Sequence, residues 1–201
     1  HVVSAESELK GLPADVITAA REAAEKAGVE GWKFGLKMPS YLPVMQYADD
    51  RGLRARMYRA YATRASEFGK ADWNNGPLIE HILDLRAEEA ALLGFANYAE
   101  LSLTPKMADS PGQVAAFLRD MATKARPFAE RDLAELREFA TKELRLEKLE
   151  NWDMSWASEK LKLARYAFSD DEVKQYFPEH KVLQGLFSAI ETLFGVQIKP
   201  D

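Results

Sequence analysis

Residues 31–64 read GWKFGLKMPSYLPVMQYADDRGLRARMYRAYATR, and two periodicities follow each other within this stretch. From Trp32 to Met38 apolar and polar side chains alternate, which is the pattern of a half-buried β-strand. After Asp49 or Asp50, either of which can cap a helix, apolar residues recur every three or four positions, as on one face of a helix. These apolar residues are Leu53, Met57, Tyr58 and Tyr61. The stretch therefore predicts one short strand followed by helical structure.

Proline, glycine and capping residues divide the rest of the chain into segments with a helical period. Ser40 is the expected cap of a short helix ending at Tyr47, and Ser110 is the expected cap of the longest helix, which Pro127 should kink. Residues 1–9 read as the second half of a helix, which leaves the strand without an evident partner. Further helices are predicted over residues 13–28, 77–93, 95–101, 155–167, 170–176 (capped by Asp170) and 178–194. We expect an all-α (mainly α) fold with one short β-strand.

Two of these helices carry long apolar stripes at the helical period. In the helix at residues 77–93 the stripe consists of Leu78, Ile82, Leu85 and Leu92. In the longest helix, which is predicted to end near residue 144, it consists of Val114, Phe117, Leu118, Met121, Ala125, Phe128, Leu133, Leu136 and Phe139 or Ala140. An amphipathic helix buries such a stripe against another element. Both segments are therefore predicted to be amphipathic helices.

The bulk composition limits the classes of function. The chain has 201 residues, a formal net charge of −5 and no cysteine. An acidic chain lacks the excess of lysine and arginine that neutralises phosphates, so we expect no nucleic-acid partner. No apolar run approaches the roughly 20 residues that cross a bilayer, so we expect no membrane partner. The length fits a single helical region over residues 1–201, and the lack of cysteine favours a reducing compartment, the cytoplasm.

No residue pattern in the chain predicts a catalytic or metal site. The three histidines, His1, His81 and His180, are far apart in sequence, and none belongs to an HExxH motif, in which two histidines bind zinc and the glutamate is the general base. His81 precedes Asp84 by one helical turn, but an exposed polar stripe is the favoured interpretation. A Gly-x-Ser-x-Gly elbow and a phosphate-binding glycine loop are also missing from the sequence. We therefore predict no catalytic, no cofactor-binding and no metal-ligating residue.

Charged clusters allow a functional interpretation and a structural one. Acidic pairs at Asp49–Asp50, Glu88–Glu89 and Asp170–Asp171 are expected on solvated faces or beside lysines rather than in catalysis. An arginine cluster could bind an anion or a peptide carboxylate with the help of Tyr58 and Tyr61. Because acidic residues flank it, a solvated or internally paired helix face is favoured. The cluster consists of Arg51, Arg54, Arg56, Arg59 and Arg64.

Aromatic residues are dense near the end of the chain. Trp152, Trp156, Tyr166 and Phe168 occur within 17 residues of one another. Aromatic side chains at such spacings are typical of a core, which is the favoured interpretation. They could instead line a groove that accepts peptide side chains, since large rings offer contact area at a low cost in entropy.

Several strings in the chain, in order, carry a family resemblance. They are FGLKMPSYLPVMQYADDRGLRARMYRAYATRAS from Phe34, ILDLRAEEAALLGFANYAELSL from Ile82, KMADSPGQVAAFLRDMATKARPFAERDLAELREFA from Lys106, NWDMSWASEKLK from Asn151 and YFPEHKVLQGLFSAIETLFGV from Tyr176. Together they resemble the thimet oligopeptidase/oligopeptidase A family of zinc metallopeptidases, over nearly the whole chain. PSYLPVM and LLGFANYAE are the most specific of these strings.

The resemblance implies a largely helical, prolate enzyme with a deep channel between two lobes, which hydrolyses short unstructured peptides. In that family one zinc ion is bound by the two histidines of HExxH and a later glutamate. None of these residues matches a position here, because the similar region lies N-terminal to HExxH. The resemblance therefore implies a fragment that contains no zinc ligand, while the parent enzyme holds one zinc ion.

Two interpretations of the function remain open from the sequence. In the favoured one the chain is a non-catalytic helical lobe that forms part of the channel wall, with the catalytic half of the same protein and short peptides as partners. In the alternative it is a free-standing helical module that binds peptides or proteins without catalysis. In the first case the surface that normally packs on the catalytic half would be exposed, so we expect self-association at high concentration.

Overall fold

The chain is mainly α-helical, as predicted. The structure, a computed structural model, describes residues 1–168 and 170–199, and the side chains of Asp170 and Asp171 lie outside this description. The predicted Asp170 cap and the Asp170–Asp171 pair therefore fall outside the described side chains. The helices in the described part are α1 Ala14–Glu25, α2 Met38–Tyr47, α3 Arg51–Ala62, α4 Gly76–Leu92, α5 Tyr98–Leu103, α6 Pro111–Lys142, α7 Met154–Tyr166, α8 Asp170–Lys174 and α9 Glu179–Phe194. Short 3-10 turns cover Glu6–Leu9, Ala71–Trp73 and Asn151–Asp153.

The predicted strand does have a partner, which corrects the prediction that residues 1–9 form a helix. Strand β1, Val2–Val3, pairs antiparallel with strand β2, Trp32–Lys33. Two more bonds extend this pairing, since the N–H of Phe34 donates to the carbonyl of His1 and the amino group of His1 donates to the carbonyl of Phe34, each at 2.8 Å. Two adjacent β-branched valines favour an extended backbone, and this preference explains why the helix starts only beyond them, as a short 3-10 turn.

Strand β2 is also shorter than predicted, because the next helix begins earlier. The alternation from Trp32 holds as far as Phe34, which is buried, and Leu36, which is half-buried. Met38 is instead exposed and is the first residue of α2. The predicted cap Ser40 consequently lies inside α2, where its Oγ accepts a hydrogen bond from the N–H of Gly35 at 2.9 Å. Pro39, in the first turn, favours the early start because the helix needs no N–H donor there.

Two predicted N-caps and one predicted C-terminal glycine are confirmed. Asp50 caps α3 through a hydrogen bond from the N–H of Leu53, and Ser110 caps α6 through one from the N–H of Gln113. The long helix runs through Pro127 without interruption and ends at Lys142, two residues before the predicted end. Gly195, with a φ of 64°, ends α9 in the left-handed conformation.

The hydrophobic core lies in the first third of the chain. It joins β1, β2 and helices α1 to α3, and Trp152 packs against it from far along the chain. Helix α7 packs on α2, and the Asn151–Asp153 turn packs on α3. The buried apolar residues of this core are Val3, Leu9, Leu12, Ala20, Phe34, Tyr41, Val44, Met45, Ala48, Leu53 and Met57.

The apolar stripes predicted for α4 and α6 are mostly exposed in the structure. In α4 only Ala90 is buried, and in α6 only Leu136 and Ala140 are buried. These two α6 residues lie near its C-terminal end, in the helix that packs on α7. Val114, Leu133 and Phe139 are half-buried. The other large stripe residues are exposed, namely Leu78, Ile82, Leu85, Leu92, Phe117, Leu118, Met121 and Phe128.

None of the helices in the described part is long and apolar enough to cross a bilayer.

Candidate functional site

The histidines and acidic residues of the described chain do not assemble into a metal site. His1, His81 and His180 are all exposed. The Nε2 atom of His1 accepts a hydrogen bond from Nε of Arg56 at 3.2 Å, so this histidine is a partner of an arginine. Among the described residues, no group of three or more histidine, aspartate or glutamate side chains lies close enough to hold a metal ion. These residues do not fit the zinc ion that the family resemblance implies for the parent enzyme.

The arginine cluster is divided by the fold between a buried ion-pair network and the surface. Arg54 and Asp153 are both buried, and the Nη2 atom of Arg54 lies 2.8 Å from Oδ1 of Asp153. Arg51 approaches the same carboxylate from outside, with Nη2 at 2.7 Å from Oδ2. Both oxygens of the carboxylate are therefore bound by guanidinium groups, a charge-assisted arrangement that is among the stronger hydrogen-bonded pairs in proteins.

The remaining donors of Arg54 are satisfied by the backbone. Its Nη1 donates to the carbonyl of Ala48 at 2.6 Å and to that of Asp49 at 3.2 Å, while its Nε donates to the carbonyl of Trp152 at 3.2 Å. One face of the guanidinium lies 4.3 Å from the ring centroid of Trp156. A buried cation in such an environment joins the end of α2, the start of α3 and the start of α7 into one unit.

The electrostatics of this network keep Asp153 ionised. Burial has the largest single effect on the carboxyl group and would raise its pKa. The hydrogen bonds from Arg51, Arg54 and the N–H of Glu150 together outweigh burial and hold the pKa of Asp153 below its ordinary value. The same hydrogen bond to Asp153 raises the pKa of the Arg51 guanidinium. Opposite shifts in the two partners are those expected of a stable ion pair. With its carboxylate bound in this way, Asp153 is a structural residue.

The Asp49–Asp50 pair also has structural roles. Asp50 caps α3, and Oδ1 of Asp49 accepts a hydrogen bond from Nε1 of Trp156 at 3.2 Å. Nζ of Lys160 lies 3.0 Å from the same oxygen. Each carboxylate is thus engaged with a separate partner, so the pair is not arranged as an acid and a base. The Glu88–Glu89 pair is exposed on α4, as predicted.

The outer arginines have the paired or solvated surroundings that the sequence favoured. Arg56 forms an ion pair with Glu8, and the guanidinium of Arg64 lies 4.8 Å from the ring centroid of Tyr61. Arg59 is exposed and, within the described residues, its side chain has no hydrogen-bond or ion-pair partner. Among the described residues, it is the one arginine of the cluster whose side chain forms neither an ion pair nor a cation–π contact.

The aromatic residues divide in the same manner. Trp152 packs against the core, with its ring centroid 6.1 Å from that of Tyr58, so the core interpretation is confirmed for this residue. Trp156 is half-buried and contacts the guanidinium of Arg54 rather than the hydrophobic core. The core interpretation is wrong for Tyr166 and Phe168, which are exposed and contact each other at 6.3 Å between ring centroids. Both lie at or beyond the C-terminal end of α7, where the helix has left the core.

Sequence reasoning missed Asp153, the residue that unites the network. A local signal was present, since Glu150 and Asp153 form a reciprocal capping arrangement around the Asn151–Asp153 turn. A cap, however, does not reveal that Arg54, 99 positions earlier, shares the carboxylate. The packing of the Asn151–Asp153 turn on α3 brings the two together.

The largest unassigned feature of the described surface is a set of apolar faces, which we call the open faces. Helix α9 has an apolar stripe at the helical period, and no residue in this helix is buried. The open faces comprise the exposed stripe of α4, the N-terminal half of the α6 stripe, and on α9 Val182, Leu183, Leu186, Phe187, Leu193 and Phe194. Exposed apolar surface on this scale marks an interaction surface in most soluble proteins.

Comparisons with known proteins relate the chain to one family. The model of peptidase family M3 matches residues 44–201. The chain is similar to oligopeptidase A of Salmonella typhimurium, with 47% identity over 200 residues, which are 98% of this chain and 29% of that protein. It is also similar to oligopeptidase A of Haemophilus influenzae (47% over 198 residues) and of Escherichia coli (46% over 200 residues), with 98% of this chain and 29% of each relative covered. The chain thus spans less than a third of the length of these relatives, and its matched residues place it in peptidase family M3.

Proposed function

We propose that this chain is a non-catalytic helical lobe of an oligopeptidase A-like metallopeptidase and forms part of the wall of its peptide channel. The open faces of α4, α6 and α9 carry this proposal. A stripe of large apolar side chains, such as that of α4, is normally buried against another element in a globular protein. Within the described chain the main contact of α4 is with the short helix α5, and Ala90 is the residue of α4 that is buried.

The proposed lobe contributes rigidity and size selection. The core and the Arg54–Asp153 network hold α2, α3 and α7 together, so that the outward surfaces of these helices keep a fixed position. A channel between rigid walls admits an extended peptide and excludes a folded protein. Zinc binding, activation of water and peptide hydrolysis belong in this proposal to the remainder of the parent enzyme, and short peptides and that remainder are the partners.

Two assays on matched proteins test this function. The isolated 201-residue chain is expected to show no chelator-sensitive hydrolysis of a quenched fluorescent peptide. A chimera of Escherichia coli oligopeptidase A, with its matching segment replaced by this chain, is expected to hydrolyse the same peptide and to lose activity with a chelator. Chelator-sensitive turnover by the isolated chain would contradict the non-catalytic role, and a folded, zinc-loaded chimera without turnover would contradict the role in the wall.

A free-standing peptide- or protein-binding module is the alternative function. The exposed aromatic and apolar side chains of α9 support it, because a free amphipathic helix can dock in the groove of another protein. In this case the isolated chain would bind a partner stably, and the chimera would gain no turnover from it. A cytoplasmic location accompanies both functions as a prediction from composition.

A further inference from the structure

A groove on the outer side of α3 combines aromatic walls with a positive charge. Its volume is about 490 Å³, and its lining includes Ala55, Tyr58, Arg59, Ala62, Phe68 and Trp152. Residues 55, 58, 59 and 62 share one face of α3, since their spacings are three, four and seven. The two alanines leave space between the larger side chains. Pockets of this volume are of the size that accepts small ligands or single peptide side chains.

The aromatic walls are held by contacts that do not depend on a ligand. The hydroxyl of Tyr58 accepts a hydrogen bond from Nδ2 of Asn151 at 3.0 Å. Trp152 is fixed by the core behind it. Phe68 lies on a loop that is tied to the end of α3, because Oγ of Ser66 donates to the carbonyl of Thr63 at 2.9 Å and accepts from the N–H of Phe68 at 3.3 Å. The Phe68 ring is 73% exposed and faces solvent at the rim.

The charge in the groove is positive and only partly compensated. Arg56, also in the lining, is engaged with Glu8, whereas the guanidinium of Arg59 is unpaired among the described residues. No acidic residue belongs to the lining. A guanidinium beside an apolar surface complements a carboxylate attached to an apolar group, and binds it in a fork geometry.

A second groove, between α6 and α7, illustrates the contrast. It is larger, about 620 Å³, and contains several charges. These charges are paired inside the groove, since Arg131 binds Asp132 and Arg165 binds Glu135. Such a groove has no unpaired arginine with which to select a ligand, and its charges stabilise the helix pair instead.

We propose that the α3 groove binds the C-terminal end of a short peptide whose last residue is aromatic. The peptide carboxylate is bound by Arg59, and the terminal ring lies between Phe68 and Trp152. This proposal rests on the proposed function, because that function supplies the short peptides whose carboxylate would bind here. It adds a peptide-binding site on the lobe itself. The positive charge of Arg59 favours a free carboxylate, and the aromatic walls of the groove favour a terminal aromatic residue.

Chemical-shift titration of the isolated, ¹⁵N-labelled chain tests the site with four ligands. Acetyl-Ala-Ala-Phe is expected to shift the indole N–H signal of Trp152. Its C-terminal amide and acetyl-Phe-Ala-Ala should each bind about tenfold more weakly, because one loses the charge-assisted contact and the other misplaces the ring. Phenylpropanoate supplies ring and carboxylate without a peptide, and tighter binding of this ligand than of the tripeptide would overturn the assignment to a peptide.

Two pairs of variants assign the contacts. Arg59→Gln and Phe68→Ala should weaken binding of acetyl-Ala-Ala-Phe about tenfold, whereas the exposed controls Arg119→Gln and Phe117→Ala on α6 should leave it unchanged. Equal binding of acid and amide, or no effect of Arg59→Gln, would overturn the proposal. Shifts at Trp152 that depend on protein concentration but not on ligand would assign the groove to a second copy of the chain and overturn it as well. Each of these results leaves the turnover of the chimera unaffected, so the failure of this site is distinguishable from failure of the proposed function.

Discussion

Two regions of this chain have apolar residues in similar helical patterns but differ in whether these residues are buried. In helices α1 to α3 the apolar stripes meet each other, the paired strands and Trp152, and Leu53 and Met57 are fully buried. In α4, the first half of α6 and α9, stripes of the same kind remain in solvent. The apolar pattern of a helix therefore indicates which face can be buried. Whether another element of the described chain covers that face depends on the rest of the fold. The apolar stripes of the first region are buried within the described chain, whereas in the proposed function those of the second pack on the remainder of the parent enzyme.

The Arg54–Asp153 network should give the largest effect in the packed region. Replacing Asp153 by asparagine leaves the cation of Arg54 buried without its counter-charge, which is expected to lower the free energy of unfolding by about 3–5 kcal/mol. The exposed pair Arg126–Glu130 on α6 is the control, and Glu130→Gln should cost less than about 0.5 kcal/mol. Urea unfolding followed by circular dichroism measures both. Similar small losses in the two variants would show that the network does not hold the packed region.

Core truncation should separate the two regions almost as clearly. Leu53→Ala opens a cavity in the packed region and should lower the free energy of unfolding by about 2–5 kcal/mol. Leu118→Ala, on an open face of α6, should change it by no more than about 0.5 kcal/mol. The two variants remove the same atoms, so only burial differs. A comparable loss in Leu118→Ala would mean that this face is covered in solution.

Glycine substitutions should act in opposite directions in the two regions. Gly31 has a φ of 92°, and an added Cβ would lie 2.2 Å from the carbonyl oxygen of Val3, so Gly31→Ala should strain the β1–β2 pairing and cost about 1–3 kcal/mol. Gly185 lies inside α9 with open space around it, and Gly185→Ala should stabilise by about 0.4–1 kcal/mol. Thermal unfolding of both variants gives the sign. Stabilisation by Gly31→Ala would contradict the close approach of the two strands.

The lowered pKa of Asp153 predicts a pH dependence confined to acid. The folded-state pKa lies below the unfolded value of about 3.9, so between the two the unfolded chain binds a proton that the folded chain excludes, and stability rises with pH. The stabilisation is fully present above the unfolded pKa and is lost as pH falls toward the folded pKa. The stability gap between wild type and Asp153→Asn should therefore be constant near neutral pH and shrink below about pH 4. A gap unchanged down to about pH 3 would contradict this origin.

Substitutions on the open faces should change the free energy of unfolding least. They should, however, have the largest effect on self-association of the chain. The double variant Leu186→Gln with Phe187→Gln should alter the free energy of unfolding by less than about 1 kcal/mol, yet reduce self-association of the isolated chain. Met107→Gln, at a fully exposed position outside the open faces, is the control. Light scattering as a function of concentration measures the effect. A wild-type chain that is strictly monomeric at high concentration would contradict the expected association.

Features of the fold that depend on contacts between residues close in sequence could be predicted, whereas features that depend on contacts between distant residues could not. Asp50, Ser110 and Gly195 act within one helical turn of their partners, so the boundaries they set were predicted correctly. The pairing of Val2–Val3 with Trp32–Lys33 joins residues about 30 positions apart, and the sequence of either strand is too short to reveal the other. The helix predicted for residues 1–9 was wrong for this reason.

The same distinction explains the site. The arginine cluster was visible in sequence, but its division into a buried network, surface pairs and the unpaired Arg59 depends on α7 and on Asp153, which lie about 100 positions further along. The α3 groove likewise unites Tyr58 and Phe68 with the distant Trp152. The exposure of the α4 stripe was unpredictable because amphipathic periodicity contains no information on whether the covering surface belongs to the same segment.

Hydrogen exchange tests the central claim, that the open faces are built to pack on the remainder of an oligopeptidase, most directly. The backbone amides of the isolated chain would be compared with those of the same residues in the Escherichia coli oligopeptidase A chimera. We predict that protection rises in α4 and α9 on incorporation into the chimera, and that α1 to α3 exchange at nearly the same rates in both, since their packing is already complete. Equal exchange of α4 and α9 in the two proteins would contradict the account.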